Sequence, residues 1–257
     1  MEIKPLEQGQ SRNEIICDSY LISQFSKIEE IIEIYLRLSE ENKGHSVLIT
    51  LDDLSQAEYT CAHSTMNNNL DETDGYDLST VDSFAFENGE HLGYLSTPSE
   101  FFIRKKNFDK GVIGVEFDSI FQKDISVDED ELGRLIDVNQ NPNNWIDEYI
   151  IAKIVPVEKP YEAICAFPNG YFSCDLNPFE NYVLAKRLYE NYKYKLFGIG
   201  ASLIGFIRDE KLQENEYKKL LKDLSKIYSQ TESNIEKFVN RNKKYNLLFL
   251  KYTEQLE

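Results

Sequence analysis

The run Gly198-Ile199-Gly200-Ala201-Ser202-Leu203-Ile204-Gly205 comes nearest in this chain to a chemical loop. A dinucleotide loop of the form G-x-G-x-x-G needs its third glycine where Leu203 stands. It also needs backbone amides at a helix start, whereas the residues that follow, LIGFIR, are strand-like. A glycine-rich strand that lets another element approach closely fits the residues better. Read from Gly200, the run has the parts of a nucleophile elbow with one residue too many, and the G-x-S-x-G turn does not tolerate the insertion. Three histidines, His45, His63 and His91, offer a general base, but no spacing selects one of them.

Metal chemistry fares no better. Cys61 and His63 precede Asp71, Glu72, Asp74 and Asp77, all ligand types, but a structural zinc site shows two paired spacings and only one is present. Placing Gly75 at the invariant glycine of a calcium loop puts Leu70 and Val81 where carboxylates are needed. A metal-dependent nuclease needs clustered acids with a nearby lysine. Glu116 and Asp118 lack that lysine, and Lys153 follows Asp147 and Glu148 at the wrong spacing. The residues therefore predict no catalytic group, no metal and no cofactor. The four cysteines form no C-x-x-C pair. Cys165 and Cys174 flank a Pro168-Asn169-Gly170 turn, yet the N-terminus has no signal-peptide core, so free thiols in a cytoplasmic protein are expected.

Charge is the informative feature. The chain has 257 residues and a net charge of -17. Residues 180–257 hold 15 Lys and Arg against 11 Asp and Glu, so residues 1–179 carry -21. Between Lys43 and Arg104 there is no Lys or Arg and there are 11 carboxylates. Such a field repels nucleic-acid phosphates and anionic membrane surfaces and attracts cationic partners. Interspersed signs would serve solubility equally well, so a recognition face for a basic partner competes with a merely solubilising surface. Its candidate residues are Asp52, Asp53, Glu58, Tyr59, Asp71, Glu72, Asp74, Tyr76 and Asp77, with Phe84, Phe86 and Tyr94 as further aromatic anchors. Lys218, Lys219, Lys222 and Lys226 share a helical face, and Arg241, Lys243 and Lys244 form a second cluster. Solvation, or docking on the acidic remainder, is their expected role.

These residues must be positioned by an ordinary set of elements. Phe25, Ile28, Ile32, Tyr35 and Leu36 predict a helix over 24–41 with Ser23 as cap and Gly44 as stop. A strand follows at 45–51, then an irregular acidic stretch at 52–80. Asn88-Gly89 predicts a tight hairpin, and a second hairpin is expected to join 101–105 to 112–118. A short helix is expected at 126–138, and strands at 149–157 and 161–167. Asn177, Pro178 and Glu180 give a capping box and a helix to about 192. A strand or strand pair spans 194–208. Helices follow over 212–228 and 231–254, the last with Ser229 and Glu232 as its capping box.

The pattern predicts an α+β fold, a central mostly antiparallel sheet with an N-terminal helix and C-terminal helices. The expected organisation is a single domain over 1–257, with 156–160 as the alternative boundary between 1–155 and 161–257. The functional expectation is a non-enzymatic immunity or inhibitor protein that neutralises a basic partner such as a bacterial toxin. An enzyme with a scattered active site, or a scaffold subunit of a bacterial assembly, is the alternative.

Overall fold

The computed structural model describes residues 1–7, 15–123, 125–239 and 246–256. In chain order its elements begin with β1 (Glu2–Pro5), β2 (Asp18–Ser23), α1 (Ile28–Glu41), β3 (Ser46–Thr50) and α2 (Leu54–Asn67). Next come β4 (Phe86–Glu87), β5 (Glu90–His91), α3 (Phe101–Val112), α4 (Glu129–Gln140) and β6 (Tyr149–Val155). The chain continues through α5 (Pro178–Tyr192), β7 (Lys195–Ile199), β8 (Leu203–Arg208), α6 (Glu214–Ile227), α7 (Glu232–Glu236) and β9 (Asn246–Lys251). This is the expected α+β architecture. Seven strands form one sheet in the order β1-β2-β6-β3-β7-β8-β9, and β4 with β5 make the small hairpin announced by Asn88-Gly89. Every neighbouring pair in the large sheet is antiparallel except β3 and β7, which run parallel through Ile49↔Gly198 and Thr50↔Ile199. In this sheet the strands from before 156 (β1, β2, β6 and β3) lie together, the strands from after 160 (β7, β8 and β9) lie together, and the two groups join through the parallel β3–β7 pair.

The central strands are buried on both faces, which is why 46–50 and 203–208 read as almost unbroken apolar runs. Gly198 and Gly205 are cross-strand partners, and Leu51 lies over both. A Cβ on Gly198 would stand 2.8 Å from the Leu51 side chain, and one on Gly205 3.1 Å from it. The glycines thus serve close packing. The α5 cap is formed as the sequence indicates: Asn177 Oδ1 accepts from the Phe179 and Glu180 amides, and Glu180 accepts from the Asn177 amide.

Several expectations are corrected. The helix expected from 24 begins at Ile28, because Ser23 is committed to β2, opposite Tyr149. Residues 54–67, expected to be irregular, form α2. Its buried face is Ala57, Thr60, Cys61, Ser64 and Thr65, too small and polar to leave a hydrophobic stripe. The second hairpin is instead α3. Thr97 and Glu100 form a capping box ahead of it, and its inner face includes buried Arg104 and Asn107, which hide the helical period. Glu116 and Asp118 accordingly sit at a 3-10 turn (Phe117–Gln122), not on a strand. Residues 160–166 are a 3-10 segment buried along most of its length, where an apolar run cannot distinguish a strand from a helix. The last expected helix is replaced by short α7, capped by Thr231, and by β9, which pairs with β8 from Leu203↔Lys251 to Arg208↔Asn246. Arg241, Lys243 and Lys244 lie outside the described residues. Lys218, Lys219, Lys222 and Lys226 are all exposed on α6.

Candidate functional site

The end of β3 organises the site. Asp52, the second residue beyond the strand, is buried, and its carboxylate is wrapped by the β7–β8 turn. Oδ2 accepts from the Ser202 amide (2.8 Å) and hydroxyl (2.6 Å), and Oδ1 from the Leu203 amide (3.1 Å). Gly200 makes this possible, since a Cβ there would sit 2.1 Å from Asp52 Oδ1. Burial pushes the Asp52 carboxyl up to about 6, against the lowering effect of these bonds. The Tyr252 hydroxyl donates to the Gly200 and Ala201 carbonyls and ties the segment after β9 to the same turn. Lys251, fully buried, donates to Glu131 and to the Ser126 and Glu254 carbonyls and fixes where that segment runs.

A cavity of about 260 Å³ opens beside this turn. Gln56 and Thr60 of α2 line one side, Ala201 and Ser202 the floor, Phe172, Cys174 and Asp175 another side, and Thr253, Glu254 and Gln255 close it. Asp175 is buried, its Oδ1 accepts from the Glu254 amide, and burial pushes its carboxyl up to about 6. The Cys174 thiol is hydrogen-bonded to Glu254, which raises its pKa and keeps it protonated. A protonated thiol is a poor nucleophile. None of the three histidines hydrogen-bonds Ser202. His91 bonds Glu100 (2.6 Å), the His63 ring packs at a tilt between those of Tyr59 and Tyr171, and His45 is exposed. Among the described residues no group of three or more His, Cys, Asp and Glu is arranged to hold a metal.

Farther along α2 lies a second depression of about 590 Å³, lined by Ala62, Thr65, Met66, Asn69, Asp71, Glu72, Thr73, Gly93 and Tyr94. Between the two cavities a row of rings runs Tyr59–His63–Tyr171–Phe172, with successive centroids 4.3, 4.9 and 5.1 Å apart. Tyr59, Met66, Tyr94 and Phe172 are each about half exposed or more. The outward side of α2 is therefore apolar and aromatic, with Glu58, Glu72 and Asp74 close to it in the chain.

The residues expected to meet a partner divide into two groups. Asp53, Tyr59, Glu72, Asp74 and Asp77 are exposed and Glu58 is half-buried, although Asp53 also caps α2 by accepting from the Gln56 amide. Asp52, Asp71 and Tyr76 are each engaged by partners within the fold. Asp52 holds the turn; Asp71 pairs with buried Arg104 (Nε to Oδ1, 2.7 Å); and the Tyr76 hydroxyl donates to Asn107 beneath Lys106 and Lys110. The cation-free interval thus receives its cations from α3. Of the further anchors, Phe84 and Tyr94 are exposed, whereas Phe86 is half-buried against His91. Asp175, Glu254, Thr60, Ser202, Thr253 and Phe172 are not foreseeable from the sequence as site residues. Four separate segments bring them together, and no local spacing signals that convergence.

None of the four cysteines is in a disulfide, and Cys17, Cys61 and Cys165 are buried. Among the described residues no helix is long and apolar enough to cross a membrane. In comparisons with protein-family models, curated proteins and solved structures, nothing matches this chain.

Proposed function

We propose that this chain is a non-enzymatic, cytoplasmic binding module whose α2 face engages a basic protein, as an acidic inhibitor or immunity protein engages a cationic toxin. One observation carries the reading. The exposed side of α2 and the neighbouring 72–94 segment combine exposed Tyr59, Met66 and Tyr94 with exposed Glu72 and Asp74, in a stretch of sequence without Lys or Arg. Exposed aromatics supply anchoring area, and a single-sign field speeds encounter with a partner of opposite charge.

The test is capture by the immobilised full chain at low salt, followed by association kinetics with the purified captured protein. The expected partner is basic. Its association rate falls as salt rises, binding is lost with Glu72→Lys plus Asp74→Lys, and binding weakens with Tyr59→Ala. Capture of acidic proteins, or of none, or equal binding by these variants would overturn the reading.

A second reading, catalysis at the 260 Å³ cavity, is favoured by one observation. Burial raises Asp175 to about 6 there, near the value suited to proton transfer.

A further inference from the structure

The cavity over the β7–β8 turn is rich in acceptors, its side-chain donors being the amides of Gln56 and Gln255 and the Cys174 thiol. A hydroxyl carries one hydrogen. The three hydroxyl side chains among the lining residues have each spent theirs inside the protein. Ser202 donates to Asp52 (2.6 Å), Thr253 to the Gln255 carbonyl (2.6 Å), and Thr60 to the Gln56 carbonyl and the Asn169 side chain. What remains on all three oxygens is lone pairs. Two carboxylates, Asp175 and Glu254, join them, and no Lys, Arg or His lines the cavity. Asp175 is only 4% exposed and makes no ion pair among the described residues. Lys123, the cation in its vicinity, is engaged with the Ser173 carbonyl and Glu180 (both 3.3 Å). A carboxylate held out of water without a counter-charge is stabilised by any cation that enters. Phe172, half exposed at the rim, adds a ring face on which a flat cation can lie.

We infer that this cavity binds a small organic cation, with an alkylguanidinium as the best match. The guanidinium is planar, has five donors and no acceptor, and meets spread-out acceptors and an aromatic rim together. An alkylammonium, with three donors at one point, satisfies fewer of them. The site stands apart from the α2 docking face, because small-cation binding is measured without any protein partner. The cation is either a free small molecule or an arginine side chain of a peptide, and both carry the same head group.

The experiment is a titration of the full chain with N-methylguanidinium, followed by amide NMR, with urea as neutral isostere, acetate as anion and methylammonium as point charge. Methylguanidinium is expected to shift the amides of Thr60, Ser202 and Thr253, with methylammonium weaker and urea and acetate without effect. Asp175→Asn, which keeps one acceptor for the Glu254 amide, should weaken binding about tenfold or more. The exposed Glu254→Gln should weaken it less, and serves as the arm that does not risk the fold. Binding should rise with pH through about 6, as Asp175 ionises. The groups around Asp175 are Glu254, Cys174, Lys123 and Tyr252. An arginyl peptide that competes for the same amides identifies a side chain as the source, and a peptide that does not compete identifies a free molecule. No shift with methylguanidinium, equal shifts with urea, or undiminished binding in both variants would overturn the assignment.

Discussion

Asp52 Oδ2 accepts both the amide (2.8 Å) and the hydroxyl (2.6 Å) of Ser202, 150 residues away in the chain. One carboxylate thereby joins the end of β3 to the β7–β8 turn and forms the wall behind the cavity. Replacing it by alanine leaves two buried amides and a hydroxyl without acceptors. Asp52→Ala should destabilise the fold by about 3 kcal/mol, read from urea unfolding. A loss below about 0.5 kcal/mol would show that the bonds are dispensable.

The same carboxylate makes stability depend on pH in a stated direction. Its pKa is about 6 when folded, above the unfolded value near 3.8. The native state therefore holds the proton more tightly. Its favourable contribution is complete below about pH 4 and is lost as pH rises through about 6, on the order of 3 kcal/mol in total. An asparagine side chain cannot titrate, so the advantage of wild type over Asp52→Asn should shrink between about pH 4.5 and 7.5. A constant difference in paired urea melts across that range would contradict the assignment.

Gly200 and Gly133 should respond to alanine in opposite ways. A Cβ at Gly200 would stand 2.1 Å from Asp52 Oδ1, whereas Gly133 in α4 has nothing within 4 Å. Gly200→Ala should cost about 1–3 kcal/mol through overpacking. Gly133→Ala should stabilise by roughly 0.5–1 kcal/mol through helix propensity. Thermal melts of the two variants suffice, and a shift of the same sign in both would refute the contrast.

Asp71 and Glu72 are neighbours with different roles. Asp71 neutralises Arg104, which is 2% exposed, while Glu72 is exposed. Asp71→Asn removes the carboxylate that pairs with the buried guanidinium and should cost about 3–5 kcal/mol. Glu72→Gln should stay within about 0.5 kcal/mol of wild type. Chemical unfolding of both separates a structural carboxylate from a surface one.

How much of this was legible in the sequence depends on range. Asn177, Pro178 and Glu180 announced α5 because a helix cap is satisfied by residues three apart. Asn88-Gly89 announced its turn because positive φ is a local demand, met at 53° and 85°. The charge asymmetry and the α+β class were likewise set by composition and element order. α2 and α3 were not legible, because their inner faces carry Thr60, Ser64, Arg104 and Asn107, whose burial depends on partners far along the chain. The LLFLK run of β9 suited a helix equally well until its pairing with β8 decided the matter.

The roles of single charged residues belonged wholly to the tertiary structure. By sequence Asp52, Asp71 and Glu72 are alike, three acids in a stretch without cations. Folding buries the first against Ser202, pairs the second with Arg104 and leaves the third exposed. The acceptor-rich cavity is of the same kind. Four segments converge on it, and only their hydrogen bonds reveal that its hydroxyl hydrogens are already committed. Residue types determine which groups can donate or accept, but the partner each one finds, and so what is left for a ligand, is decided by contacts between residues distant in the chain.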